Sequence, residues 1–299
     1  MKKEKVSIGI PTYEAGESLV AVLKSIYSQT FYKYIEFIFV VIDGNKIKKN
    51  ILEKIKNPKL KIIYYKKRKG QSTRINSLLQ YMENDFIVLT NDDVILKNNA
   101  IEELFKKYKI ENADLIAGVA KPIKGTTVLA KIISTGNKIS NIISLFWSKG
   151  DNYLACNGRL LGISKLLYAE LSVPEAIWNN DMYMYLYSKN NNFKFRIADN
   201  AICFYKTPEN IKEHANQSLK FQKSYIEMQK YFKSNLSKFY EVPLLLKIKA
   251  VKVTFIENPL FVILYFLLFF YTRMLNTLKD KSIIDKTYWE TDYSTKNLK

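Results

Sequence analysis

Residues 86–96 read Phe-Ile-Val-Leu-Thr-Asn-Asp-Asp-Val-Ile-Leu. Phe86 to Thr90 is apolar without alternation, the pattern of a strand buried on both faces, and Asn91-Asp92-Asp93 ends it. Working back towards the N-terminus, Val6 to Ile10 is a short β-branched run stopped by Pro11. Glu36 to Ile42 is a second such run, closed by Asp43-Gly44, and Leu60 to Tyr65 is a third. The intervening segments read as helices: Glu17 to Gln29, with Leu19, Val22, Leu23 and Ile26 on one face, then Lys48 to Lys56 and Gly70 to Met82. Strand and helix therefore alternate up to Thr90, which predicts an α/β fold with a Rossmann-like, mostly parallel sheet sandwiched by helices.

Forward from Leu96 the regularity weakens. Asp114 to Val119 reads as a strand, and residues 125–152 show no clear period. Leu154 to Ser164 holds Asn157-Gly158 and a strand-like Leu-Leu-Gly-Ile-Ser, followed by a short helix to Leu171. Asn180 to Lys189 reads as a helix with Asp181 in its first turn, where an acid suits the positive helix end. Phe193 to Phe204 supplies one or two strands, and a helical stretch runs from Pro208 to Phe232. The last part differs in character. Val242 to Ile256 is apolar with Lys247, Lys249 and Lys252 interleaved, and Leu260 to Tyr271 is unbroken apolar sequence, short for a full span of about 20 residues. The reading divides the chain into an α/β unit over 1–232, with halves at about 1–120 and 121–232, and a C-terminal helical region over 233–299 that is expected to associate with a membrane.

Composition narrows the chemistry. Cys156 and Cys203 with a single histidine, His214, cannot build a disulfide framework or a structural zinc site. Any metal would be a hard ion on carboxylates, and the two cysteines read as buried thiols. The formal net charge is +19, with 12 basic residues against Glu53 alone between Lys46 and Arg74. Such a patch suits nucleic acid, an anionic membrane or substrate phosphates. Only five of the 47 basic residues are arginine. Base-edge reading favours Arg, so a sequence-specific nucleic-acid reader is disfavoured. The opening Met-Lys-Lys-Glu-Lys leads into a short apolar run with no cleavage site, so the expectation is a protein that is not secreted.

Polar residues fall just past the carboxyl ends of the strands: Thr12-Tyr13-Glu14, Asp43-Gly44, Lys66 to Gly70 and Asn91-Asp92-Asp93. In an open α/β sheet that edge holds the ligand crevice. Polar loops there are ordinary, but two acids directly after Phe86–Thr90 are more than polarity requires. In this order and spacing the chain resembles the family 2 glycosyltransferases, inverting enzymes of the GT-A fold that use nucleotide-sugars. The likeness runs from Val6 to about Phe221. Residues 6–30 resemble the family's first strand, its Pro-x-Tyr turn and first helix. EFIFVVIDG resembles the second strand, KGQSTRIN the phosphate-side segment, and FIVLTNDDVIL the strand bearing the DXD motif. ACNGRLLGIS resembles the acceptor-side segment, WNNDMYMYLYSK the helix carrying the base, and QSLKF in part the Q-x-x-R-W segment.

The resemblance implies roles. Asp93 would touch a divalent cation, Mn²⁺ or Mg²⁺, and Asp181 would be the catalytic base. Pro11, Thr12, Tyr13 and Glu14 would line the base and ribose pocket, with Asp43 accepting from a pyrimidine N3–H. Lys69, Gly70 and Arg74 would face the diphosphate, and Asn91 and Asp92 would complete the nucleotide-sugar site. Asn157, Gly158, Gln217 and Lys220 would lie on the acceptor side. The implied activity is metal-assisted transfer, with inversion, of a sugar from a nucleotide-sugar (a UDP-sugar first) to a glycan or lipid-linked acceptor at the cytoplasmic face of a membrane. Two other readings stay open: an inactive relative serving as an assembly subunit, since Asn91 and Asn180 stand where acids are usual, and a basic nucleic-acid-binding protein. Tyr183, Tyr185 and Tyr187 read either as packing or as a sugar platform.

Overall fold

The first four strands form as the sequence predicts: β1 (Val6–Thr12), β2 (Ile35–Asp43), β3 (Leu60–Tyr65) and β4 (Phe86–Thr90). The computed structural model describes residues 4–13, 16–44, 47–232, 236–277, 293–296 and 298. Helices α1 (Glu17–Tyr27), α2 (Lys49–Lys54) and α3 (Gln71–Gln80) connect these strands. β1 pairs in parallel with both β2 and β4, and β2 with β3. All seven residues of β1 are buried, because neighbours and helices enclose it on every side. Phe86 and Val88 join one apolar cluster while Ile87 and Leu89 join another, as alternate residues of a strand covered on both faces must.

The second half adds β5 (Val94–Leu96), α4 (Ala100–Glu111), β6 (Leu115–Pro122), α5 (Val128–Phe146), β7 (Leu160–Ser164), α6 (Lys165–Glu170), α7 (Asn180–Asn190), β8 (Phe195–Tyr205) and α8 (Ile211–Gln229). The sheet order is β3-β2-β1-β4-β7-β6-β8-β5. The sheet is mostly parallel, as expected, and β7, which runs antiparallel to both β4 and β6, makes its second half mixed. β5 lies four strand spacings from β4 in this order, about 19 Å in a flat sheet. The four residue steps from Thr90 to Val94 reach at most about 14 Å. The sheet must therefore curl, and the Asn91–Asp93 turn crosses the hollow that the curl makes.

Residues 125–152, which show no clear period, are mostly one helix, α5, capped where Thr127 Oγ1 accepts from Ala130 N at 3.1 Å. α5 packs on other helices with Ala130, Ile133, Gly136 and Ile139 on its buried face. Those partners are α9 (Leu244–Glu257) and α10 (Pro259–Thr277), the latter also against α8. A Cβ on Gly136 would lie 1.9 Å from Tyr265 Cε2, so the missing side chain lets the α10 ring seat against the α5 backbone. Asn276 Nδ2 donates to Ala215 O of α8 at 2.9 Å. α10 is, among the described residues, the one helix long and apolar enough to cross a membrane, and 22% of that apolar stretch is buried.

Candidate active site

The loops after β2 and β3 are organised around Asp43, a buried carboxylate at the end of β2. Its Oδ1 accepts from Arg74 Nε at 2.6 Å and Lys69 N at 2.9 Å, and its Oδ2 accepts from Gly70 N at 2.7 Å. Gly70 opens α3 at φ 94°, a left-handed conformation that glycine adopts without steric cost. The Arg74 guanidinium, 3% exposed, also donates to Lys67 O at 2.6 Å and lies 4.0 Å from the Tyr65 ring centroid. Arg74 is thus no surface residue, and its charge is matched by Asp43 rather than held open for a phosphate. Lys69 N also reaches Asp43 Oδ2 at 3.2 Å, so protein donors already take about all of the four lone-pair sites that a carboxylate offers. Beside it, Arg68 stacks on the Tyr13 ring at 3.7 Å. Pro11 is buried within β1. Glu14 lies outside the described residues.

At the β4 end, Asn91 Oδ1 accepts from Gln71 Nε2 at 3.1 Å, tying the turn to α3. Asp92 Oδ2 accepts from the Thr12 hydroxyl and, at 2.9 Å, from Lys296 Nζ. Asp93 differs: its Oδ1 is buried with no hydrogen-bond partner. Burial, reinforced by the Asp92 charge, pushes the Asp93 carboxyl up to about 6, against the pull of Arg159 and Lys296. A partnerless carboxylate oxygen is the kind of donor that a hard divalent cation satisfies. No group of three or more His, Cys, Asp or Glu closes a ligand set among the described residues. This fits an ion such as Mg²⁺, which commonly takes one or two carboxylates and completes its shell from water and substrate phosphates.

The opposite side of the site is built on α7. Asp181 stands in its first turn, its Oδ2 accepting from Gly158 N at 3.1 Å and its Oδ1 from its own helix at Met182 N, 3.0 Å. Asn157 Nδ2 donates to Gly118 O at 2.9 Å, which fixes the turn that presents Gly158. Asp181 lines a cavity of about 730 Å³ shared with Asn157, Gln217, His214, Tyr265 and Arg273. Lys220 does not share it: Gln217, Ser218, Phe221 and Gln222 face the cavity, and Lys220 contributes only its carbonyl, to Asn179 Nδ2 at 3.1 Å. The helical period turns its side chain away from that face. Burial lowers the His214 pKa. Both cysteines are buried and free, and burial raises both thiols. Tyr183, Tyr185 and Tyr187 pack among the apolar residues beneath α7, and Tyr185 donates to Asp151 Oδ1 at 3.1 Å.

Sequence reasoning missed Glu227. This buried acid on α8 accepts from Trp178 N at 2.7 Å, Asn179 N at 3.1 Å and Asn179 Nδ2 at 2.8 Å, and so holds the turn that launches α7. An acid among Ser224 and Met228 on the buried face of α8 was the available signal. Across the site, Ser72 Oγ donates to Ile177 O at 3.0 Å and Asn76 Nδ2 to Val173 O at 2.7 Å. α3 therefore also positions the approach to Asp181.

The family model for glycosyl transferase family 2 matches residues 7–166. The chain is 29% identical over 140 residues to the poly(ribitol-phosphate) β-N-acetylglucosaminyltransferase TarP of Staphylococcus aureus, covering 45% of this chain and 42% of that protein. It is 25% identical over 117 residues to the glycosyltransferase GlyG of Streptococcus pneumoniae, covering 38% of each. These matches span about two fifths of either relative's own length. Among solved structures, a mannosyltransferase from Pyrobaculum calidifontis, in complex with GDP-Man and Mn²⁺, superposes with a TM-score of 0.59 at 13% identity, covering 88% of this chain and 73% of that one. Residues 1–349 of S. aureus TarS give a TM-score of 0.52 at 18% identity, covering 87% and 83%. At such identities these likenesses speak for the GT-A fold.

Proposed function

Because the chain belongs to glycosyl transferase family 2, we propose that it moves a sugar from a nucleotide-sugar, a UDP-sugar first, to a glycan or lipid-linked acceptor with inversion at the anomeric carbon. The observation that carries this reading is Asp181 on the wall of the 730 Å³ cavity, its carboxylate held in place by Gly158 N. The acceptor hydroxyl enters from the cavity, and Asp181 takes its proton as the oxygen attacks the anomeric carbon on the face opposite the diphosphate. The bond from that carbon to the phosphate oxygen breaks, and the nucleoside diphosphate leaves. Lys69, Gly70 and the Asn91–Asp93 turn hold the donor, with Asp43 and Thr12 near its base and ribose. Asp93 would hold a divalent cation, Mn²⁺ or Mg²⁺, which when bound would supply Lewis-acid neutralisation of the diphosphate.

The relatives' names support a glycan-type acceptor and a metal-bound nucleotide donor; since one neighbour holds GDP-Man, GDP belongs beside UDP in any test. The catalytic unit is taken as residues 1–232. The reading puts the acceptor beside a membrane, at its cytoplasmic face; Tyr265, Phe269 and Arg273 of α10 lining the cavity support the nearness of that apolar helix to the acceptor. Elsewhere α9 and α10 expose large apolar residues, among them Leu245, Ile256, Leu267 and Phe270.

The test is calorimetric binding of UDP and GDP, with and without Mn²⁺, to wild type and Asp93→Ala, with turnover measured for Asp181→Asn. One nucleotide should bind in a metal-dependent manner, lost in Asp93→Ala. Asp181→Asn should bind it normally yet turn over about 10²–10⁴-fold more slowly. Well-folded wild type that binds neither nucleotide overturns the donor-site assignment.

A further inference from the structure

Tyr293–Lys296 forms a short turn against the donor crevice. Ser294 ties it to α8: its amide donates to Glu213 Oε1 at 3.3 Å, its hydroxyl donates to Glu213 Oε2, and its Oγ accepts from Glu209 N at 3.1 Å. Thr295 is buried. The next residue, Lys296, reaches 204 positions back along the chain, its Nζ lying 2.9 Å from Asp92 Oδ2. That pair is largely out of solvent, with side chains 18% and 10% exposed. A surface lysine gains little from such a contact. Here three polar ties and a buried threonine hold the segment that presents it.

The arginines near this edge are already engaged with other side chains. Arg74 serves Asp43, Arg68 lies over Tyr13, and Arg159 lies over the Tyr205 ring at 4.0 Å. A nucleoside diphosphate arriving beside Asp92 and Asp93 would meet two carboxylates. Its polyanion needs a positive group at that spot, and Lys296 is fixed there by geometry. We propose that Lys296 is a diphosphate-binding residue of the donor site, its ammonium bridging Asp92 and a phosphate oxygen of the nucleotide. This rests on the donor-site reading above. An ammonium carries three N–H donors, so it can hold a carboxylate and a phosphate oxygen together. Asn91, which brings no charge where an acid is usual, leaves a turn whose two carboxylates face Lys296 and Arg159.

The experiment compares Lys296→Met with wild type for binding of whichever of UDP and GDP the wild type takes, and of the matching nucleoside, in chelator and again with Mn²⁺. Thermal melting confirms the fold. With Mn²⁺ present the diphosphate should bind about 10- to 100-fold more weakly to Lys296→Met, the loss of one charge-assisted hydrogen bond, while the nucleoside is unaffected. Ser294→Ala, which loosens the segment and keeps the lysine, should lose less and in the same direction. Unchanged diphosphate affinity in Lys296→Met overturns the proposal, and so does tighter binding, which would make Lys296 a plug. An equal loss for nucleoside and diphosphate overturns it as well. Wild type that binds neither nucleotide removes the donor-site reading itself and this proposal with it.

Discussion

Replacing Arg74 by methionine should unfold the donor side before anything else. The guanidinium is 3% exposed, its Nε sits 2.6 Å from Asp43 Oδ1, and a second nitrogen donates to Lys67 O at 2.6 Å. Methionine fills much of the volume and supplies no donor, so Asp43 keeps only the Lys69 and Gly70 amides. Breaking a buried pair by removing one partner costs about 3–5 kcal/mol, because the remaining charge is left uncompensated. Unfolding entropy near 2.1 cal/mol/K per residue makes that roughly 5–8 °C in a chain of this length. Asp43→Asn should cost a similar amount, by stranding the arginine. The double variant should cost less than the two singles added, with a coupling of about 2 kcal/mol or more, since neither partner is then left alone. Urea denaturation of the four proteins gives these energies, and nucleotide calorimetry should show binding lost in both singles as the 66–70 loop loses its anchor. A loss below about 1 kcal/mol in Arg74→Met, or additive single effects, would refute the argument that this pair organises the donor loops.

Asp93 should make the metal-free protein less stable as pH rises. Its pKa is raised from 3.8 to about 6, so between those values the folded chain binds more protons than the unfolded one, and stability falls through that window. Asp93→Asn should remove the slope and gain up to about 3 kcal/mol at pH 7, read by denaturation in chelator at pH 4 and pH 7. Glu227→Ala frees three donors at the start of α7 and should cost about 2–3 kcal/mol, lowering turnover while leaving nucleotide affinity intact. Equal loss of both would place Glu227 in general stability instead. Gly136→Leu puts side chain where Tyr265 sits and should part α10 from α5, abolishing transfer to acceptor with nucleotide binding retained. Unimpaired transfer would show that α10 has no part in the acceptor cavity.

The first half of the fold was legible in the sequence because its strands are buried on both faces, and such strands read as unbroken apolar runs. The motif turns were legible for a related reason: strand ends of a parallel sheet share one edge, so Thr12, Asp43, Gly70 and Asp93 had to converge. The second half was harder. The purpose of Gly136 on α5 is visible only once Tyr265 is seated on it. β7 reads like any parallel strand, since direction leaves no mark on a five-residue apolar run. Sequence alone thus determined the α/β class, the donor edge and the helix start that carries Asp181, all consequences of local pattern and chain order. Tertiary structure decided that Arg74 belongs to Asp43, that Lys220 faces away, that Glu227 holds the turn before α7, and that Lys296 meets Asp92. Each of those is a pairing of charges or donors distant in the chain, and burial, which makes such pairing obligatory, names no partner until the fold has closed.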